Sequence, residues 1–308
     1  MKKSLIIILT SLIWSGVYSQ QDPMVTQYMF NGLYLNPAYT GSHDYWTSTI
    51  SYRSQWVGAQ FDGAPQTAIA AVDGPIHGKN MGLGFILSHD RIGVTRTNSI
   101  MAQYAYQIKL KKTSKLALGI NGGVSQFNAN LTDVLIWDEQ DEVYSNRLSK
   151  IVPRFGAGIY YYSDRHYIGI SVPTLFAYED GNDFSFDLSK ASFLRRHYLL
   201  TGGLVLRVSD NVKLKPSTLL KYIPNAPFEA DINFSAIFKD QFWIGASYRT
   251  GDAVAVLLEY QSNSYFRIGY SYDITFSGLR NYQNGSHEIM IGVDFGKNLT
   301  KVKTPRYF

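Results

Sequence analysis

The residues able to do chemistry in this chain are few and scattered. Its six histidines are His43, His77, His89, His166, His197 and His287, and it has no cysteine. Acid–base or nucleophilic catalysis needs a histidine within hydrogen-bond reach of a carboxylate or hydroxyl. Only His89-Asp90 and Asp164-Arg165-His166 come near that by spacing. With a serine close by, either would suit a hydrolase. No GxSxG elbow, HExxH, CxxC or Gly-Lys phosphate loop accompanies them. Both sit at the ends of extended runs, where a turn or interfacial histidine is the plainer reading. Two acidic stretches, Asp133, Asp138, Glu139, Asp141, Glu142 and Glu179, Asp180, Asp183, Asp187, offer oxygen ligands for Ca²⁺. Neither has EF-hand spacing, and solvated loops, or cation bridges to lipid phosphates, explain them as well. The expectation is a non-enzyme with no catalytic, cofactor-binding or metal-ligating residues.

The elements that carry these residues are far more regular. Phe228, Ala230, Ile232, Phe234, Ala236 and Phe238 alternate with Glu229, Asp231, Asn233, Ser235 and Ile237. A period of two is an extended strand with opposite faces in opposite environments. In strand 45–56, Trp46, Ile50, Tyr52 and Trp56 oppose Thr47, Thr49, Ser51 and Arg53. In 96–110, Ile100, Ala102, Tyr104, Tyr106, Ile108 and Leu110 face out, and Gln103, Gln107 and Lys109 face in. The full reading is fourteen strands: 45–56, 66–74, 80–90, 96–110, 114–128, 151–163, 165–174, 195–209, 211–223, 227–239, 241–250, 252–261, 264–273 and 286–296. Tight turns (Lys111–Thr113, Ser163-Asp164, Asp210, Asp240, Ser262-Asn263) fall on one side. The longer links 57–65, 129–150, 175–194 and 274–285 fall on the other, together with three short ones.

Many amphipathic runs of about ten residues, with short turns on one side and longer loops on the other, are the mark of a transmembrane β-barrel. Closure pairs every backbone group, which lipid demands. The fold class expected is all-β: an antiparallel up-and-down barrel of fourteen strands, with twelve or sixteen as alternatives and a sandwich as the soluble competitor. An even count sends both termini to the short-turn, periplasmic side.

Composition agrees. Aromatics are 15%, with 23 Tyr, and charged residues only 17%, below the roughly 25% of soluble domains. Lys2 and Lys3, the apolar run Leu5–Trp14 and Val17-Tyr18-Ser19 read as a secretory signal peptide, residues 1–19, cut before Gln20. No other stretch is apolar enough for a spanning helix. The formal charge of +5 falls to about +3 without the signal lysines, too little for a nucleic-acid binder. Residues 20–44 are too apolar for a free tail and read as a plug or a periplasmic cover. The barrel occupies 45–296, and a basic tail runs over 297–308. Inward charges of both signs (Lys213, Lys215, Lys221 facing Glu229 and Asp231, then Arg249, Glu259, Arg267, Asp273) suggest a filled interior rather than a ring of one sign.

Specific residues then carry a resemblance. Gln21-Asp22-Pro23, Gln27-Tyr28, Asn31 and Asn36-Pro37-Ala38-Tyr39-Thr40-Gly41 resemble the opening of the PorP/SprF family. Tyr52-Arg53-Ser54-Gln55-Trp56, Ala64-Pro65-Gln66-Thr67 and Gly285-Ser286-His287-Glu288-Ile289-Met290 extend it. The resemblance implies a non-enzymatic outer-membrane barrel of the type IX secretion system of Bacteroidota. Its members serve secretion or surface attachment of a partner, often an adhesin with a type B C-terminal domain, in some bacteria for gliding motility. The expected partners are that secreted protein, the secretion machinery and outer-membrane lipid, with no cofactor. The family-motif residues are Gln27, Tyr28, Asn36, Pro37, Ala38, Gly41, Arg53 and Trp56. The tail past the last strand leaves Phe295 and Phe308 as alternative terminal aromatics. Aromatics in the two longest loops (Trp137, Tyr144, Phe176, Tyr178, Phe184 and Phe186) are candidate partner anchors. A transporter or porin for small or hydrophobic solutes is the alternative reading.

Overall fold

A computed structural model describes residues 23–60, 62–111, 113–130, 147–177, 196–224, 226–262 and 265–295. The signal peptide, the basic tail, the acidic stretches and Trp137, Tyr144, Tyr178, Phe184 and Phe186 lie outside them.

The strands are β1 (Trp46–Ser54), β2 (Gln66–Pro75), β3 (Met81–Ile92), β4 (Thr95–Lys109), β5 (Lys115–Asn130), β6 (Arg147–Tyr162) and β7 (His166–Ala177). Then follow β8 (Tyr198–Leu204, continued by Leu206–Arg207), β9 (Val212–Tyr222), β10 (Glu229–Phe238), β11 (Phe242–Arg249), β12 (Ala253–Gln261), β13 (Phe266–Thr275) and β14 (Ser286–Phe295). Each pairs antiparallel with its sequence neighbour, and β14 pairs with β1 from Trp46↔Phe295 to Ser54↔His287. The ring is therefore closed and leaves no edge. All fourteen expected strands are present, displaced by a few residues at most.

Two irregularities have a common cause. The break in β8 lies where Leu204 and Val205 would meet Pro216 and Lys215 of β9. Pro216 has no N–H to give the ladder. The register shift between Phe155 and Ala157 on β6 lies opposite Pro173 on β7, again a strand proline beside a bulge.

The alternation sorts the side chains as read. Ile50, Ile100, Ile120, Ile151 and Ile170 are each about 60% exposed on the outer face, while Thr49, Gln103, Ser125, Ser171 and Ser271 are buried inside. More than forty large apolar side chains are exposed among the described residues. At roughly 1 kcal/mol or more each in water, their cost would exceed the 5–15 kcal/mol that stabilises a typical domain; in lipid that cost vanishes. Aromatic pairs mark both rims: Tyr198–Tyr222 and Tyr248–Phe276 where the connections are long, Phe242–Tyr260 where they are short. No helix among the described residues is long and apolar enough to cross a membrane.

Two particulars differ from expectation, and a third goes beyond it. Trp56 lies beyond the end of β1, in a left-handed turn (φ 52°) whose N–H donates to Ser286 Oγ at 3.2 Å; strand alternation no longer applies there. Lys109 ends β4 exposed rather than facing inward. Pro23 is not at the short-turn rim. Phe295 ends there beside Trp46, but Pro23 and Met24 sit among Ser88, Ser99, Arg154, His197 and Lys221, in the long-connection half. Strand parity places the barrel's own ends and is blind to a segment that threads the lumen.

Candidate functional site

Residues 23–45 pack inside the ring, stepping through a 3₁₀ turn (Tyr28–Phe30), one α-helical turn (α1, Gly32–Leu35) and a second 3₁₀ turn (Pro37–Tyr39). Gly32 and Pro37 limit each piece to about one turn, as their backbone preferences require. Val25, Thr26, Gln27, Tyr28, Leu33, Ala38 and Thr40 are each 3% exposed or less. So polar a stretch is burial-compatible only if its backbone is satisfied from the wall.

At the long-connection end the wall supplies charge. Thr26 N–H donates to Glu288 Oε2 at 2.7 Å and Gln27 N–H to Glu288 Oε1 at 3.2 Å. The Gln27 amide donates to the Glu288 carbonyl at 3.1 Å. Thr26 Oγ1 donates to Asp273 Oδ2 at 2.7 Å and accepts from Arg53 at 2.5 Å and Arg249 at 3.3 Å. Arg53 forks across Asp273 (2.7 Å) and Glu288 (3.2 Å), and Arg249 joins Asp231 (3.0 Å) to Asp273 (3.4 Å). The pairs follow from register: Arg53 lies directly opposite Glu288, and Asp231 opposite Arg249. These five charged groups come from β1, β10, β11, β13 and β14, so the clamp straddles the seam where the first and last strands meet.

Further in, the wall supplies shape. Asn36 Oδ1 accepts from Ala38 N–H at 2.9 Å and caps the second 3₁₀ turn, while its Nδ2 donates to the Ile159 carbonyl at 3.0 Å. A Cβ on Gly119 would fall 2.2 Å from Ala38 N, and one on Gly158 2.1 Å from Asn36 Oδ1. Gly119 and Gly158 are directly paired on β5 and β6, with Gly169 beside them on β7. Together they form a notch into which the Asn-Pro-Ala backbone fits. Gly41 (φ 65°) leaves the notch in the left-handed region, where a Cβ would meet Gly82 Cα at 2.6 Å. Its N–H donates to Asp73 Oδ2 at 2.8 Å, and Gln107 donates to its carbonyl.

Between these two anchorages Lys215 lies 1% exposed over the rings of Trp243 (5.1 Å), Phe30 (5.8 Å) and Tyr167 (5.9 Å). Tyr28 shares a 3.3 Å hydrogen bond with Ser217, and burial pushes its phenol pKa up, with Tyr167 adding to the rise.

Of the family-motif residues, seven (Gln27, Tyr28, Asn36, Pro37, Ala38, Gly41 and Arg53) line this segment or its clamp; Trp56 stands at the long-connection end of the seam. Of the inward charges, Lys221–Glu229 (3.4 Å) pairs across its hairpin as expected. Lys213 instead meets Asp240 in the turn below it, and Arg267 approaches Asp294 at 3.7 Å. Asp73, Glu288 and the notch glycines were missed as site residues; their signal was only the small or acidic residue on an inward phase. Phe176 belongs to β7, close to its end. His89 is exposed and bonded to Asn98, whereas Asp90 points to the other face and accepts from Thr67. His166 bonds Ser163 at 3.0 Å, and that hydroxyl also receives the N–H groups of Arg165 and His166, closing the turn. Among the described residues, the arrangement fastens the segment to the inner wall by hydrogen bonds and ion pairs.

Among known proteins, the model of the family described as "Type IX secretion system membrane protein PorP/SprF" matches residues 17–293. No curated protein matches. Solved structures that resemble the chain are barrels of low identity. A monoaromatic hydrocarbon channel, CymD, is 10% identical with a TM-score of 0.48, covering 90% of this chain and 93% of that one. A Pseudomonas aeruginosa FadL homologue is 12% identical with a TM-score of 0.46 (91% and 94% covered), and a KdgM porin 10% with 0.41 (81% and 99%).

Proposed function

The chain belongs to the PorP/SprF family of type IX secretion system membrane proteins, and from that premise we propose that it serves secretion or surface attachment of one partner protein. The partner is a secreted adhesin with a type B C-terminal domain, in a gliding bacterium the motility adhesin, handed over by the secretion machinery. The barrel sits in the outer membrane with its short turns periplasmic and its long connections outside. The signal peptide is removed before Gln20, and residues 20–44 are the plug. In that orientation Pro23 lies in the outer half of the lumen and Phe295 at the periplasmic rim.

The observation that carries this reading is the occupied lumen. A passive pore needs a water-filled path, whereas here residues 23–45 thread the ring and are fastened to its wall at both ends. What remains for function is the long connections 129–150 and 175–194, whose sequences carry Trp137, Tyr144, Phe176, Tyr178, Phe184 and Phe186 as aromatic anchors for the partner. The test is affinity purification of the tagged protein from native outer membranes in mild detergent, followed by mass spectrometry. Stoichiometric recovery of a large secreted protein with a C-terminal sorting domain, or of secretion components, is expected. A barrel recovered alone, together with conductance in planar bilayers, would replace this reading with the transporter.

A further inference from the structure

The short-turn rim carries charge of two kinds. At the β8–β9 turn Arg207 meets Asp210 at 2.5 Å, at the β10–β11 turn Asp240 meets Lys213, and the β6–β7 turn sets Asp164 beside Arg165. The turns 76–80 and 110–114, which join β2 to β3 and β4 to β5, are different. His77 and Lys79 stand exposed in the first; Lys109 and Lys111 stand exposed at the second, with Lys115 half-buried beside them. The two turns adjoin, since Gln107 N–H donates to the Asn80 carbonyl at 2.8 Å where β3 and β4 end. Lys109 and Lys115 are directly opposed across β4 and β5, a like-charge pairing that a strand pair resists.

The acids within reach do not balance this cluster. Lys115 meets Asp44 only at 4.0 Å, and that carboxylate is 92% exposed. Asp73 is buried and accepts from Gly41 N–H. The acidic connections 129–150 and 175–194 leave from the opposite rim. At the short turns and after Phe295, the residues outside the described set (112, 263, 264 and 296–308) include lysines and an arginine but no Asp or Glu.

Strand phase says from which direction an anion can come. The outward positions at this level are apolar: Tyr106, Ile108 and Leu110 are each at least 38% exposed. Lys109 and Lys115 continue the other phase, that of Gln107 and Ala117, and at the strand ends this phase opens on the mouth. A bilayer phosphate would meet Ile108 and Leu110, whereas an anion in water below the barrel meets the lysines. Directly opposed strand residues stand about 5 Å apart, and alternate side chains of an extended peptide about 7 Å apart. A run of carboxylates along one chain can therefore answer several of these lysines at once.

We propose that the turns 76–80 and 110–114 form a docking patch for an acidic segment of a periplasmic protein, held by Lys79, Lys109, Lys111 and Lys115. Complementary charge steers such a segment to one sector of the rim. This rests on the orientation proposed above and gives the docking reading a second, periplasmic face.

The test uses the full-length barrel in detergent and the probe peptide Gly-Glu-Asp-Glu-Asp-Glu-Gly, labelled with fluorescein at its N-terminus and read by fluorescence anisotropy. The acidic peptide is expected to bind saturably, and the analogue with Gln and Asn for Glu and Asp at least tenfold more weakly. Lys109→Gln with Lys111→Gln should weaken binding about tenfold. Arg165→Gln with Lys239→Gln removes the same charge elsewhere on the rim and should weaken it less than twofold. Heat-modifiable gel migration shows that each variant is folded. No saturation, or equal losses from the two double variants, overturns the proposal. So does thermal stabilisation by phosphatidylglycerol that Lys109→Gln with Lys111→Gln abolishes while the peptide does not bind, which would make the patch a lipid site. The chain has no cysteine, so Lys111→Cys gives a single label site. A membrane-impermeant maleimide should reach it only after the outer membrane is permeabilised, and labelling of intact cells would overturn the periplasmic placement. Recovery of a secreted protein from native membranes by a barrel that ignores the acidic peptide would sink this inference and leave the docking reading standing. Failure of both would remove both.

Discussion

The two ends of the threaded segment are held by opposite kinds of chemistry. At Thr26-Gln27 the wall offers two guanidinium groups and three carboxylates, all 7% exposed or less. At Asn36–Ala38 it offers mostly the absence of side chains, three glycines whose Cβ atoms would collide with the segment. Charge buried away from water is demanding, because each member must keep its partners or bear a large desolvation penalty. Shape is demanding in another sense, since a close-packed notch rejects one added methyl group. The first device fixes identity and ties the segment to the seam between β1 and β14. The second fixes depth and depends on no charge. The segment is thus a part of the wall that happens to be covalently N-terminal.

Breaking the charged end should cost most. Arg53→Met removes the cation shared by Asp273 and Glu288 and leaves two carboxylates facing each other. A loss of about 3–5 kcal/mol is expected, read from the midpoint of guanidinium unfolding in detergent. Arg53→Lys should recover only part of it, because one ammonium cannot reproduce the fork across two carboxylates. An Arg53→Met barrel as stable as the parent would mean that the seam closes without the clamp. The notch comes next. Gly119→Ala forces a methyl against Ala38 backbone and should cost about 1–3 kcal/mol. Its more telling readout is local: chymotrypsin should cut at Tyr34 or Tyr39 in the variant and leave the parent intact. Loss of stability without cleavage would show that the strand, not the segment, bears the strain.

The barrel was readable because lipid leaves the outward face no freedom. Ile100, Tyr106 and Leu118 had to be apolar and their neighbours polar, so a period of two survives along most strands and even the strand count follows. The clamp was half readable. Arg53 and Glu288 stood in motif blocks and on inward phases, but their meeting depends on the closing register of β1 on β14, which no local pattern specifies. The notch was not readable at all: Gly119, Gly158 and Gly169 look like ordinary strand-weakening glycines until Asn36 is seen against them. The segment's path was not readable for the same reason, since a polar, one-turn-at-a-time stretch has no period from which to infer a path.

The finest test asks whether the two ends act as one body. Asn36→Ala removes the cap on the Pro37–Tyr39 turn and the bond to the Ile159 carbonyl, with an expected cost of about 1 kcal/mol. Asn36 touches none of the clamp residues in the bonds described above. If charge and shape hold independently, the Asn36→Ala and Thr26→Val penalties should add to within about 0.3–0.5 kcal/mol in a double-mutant cycle. A coupling of about 1 kcal/mol or more would require the segment to transmit displacement between its anchors, through the Lys215–Phe30–Trp243 cluster that lies between them. Repeating the cycle with Lys215→Met then decides the route: coupling that vanishes places it in that cluster, and coupling that persists places it in the backbone of α1.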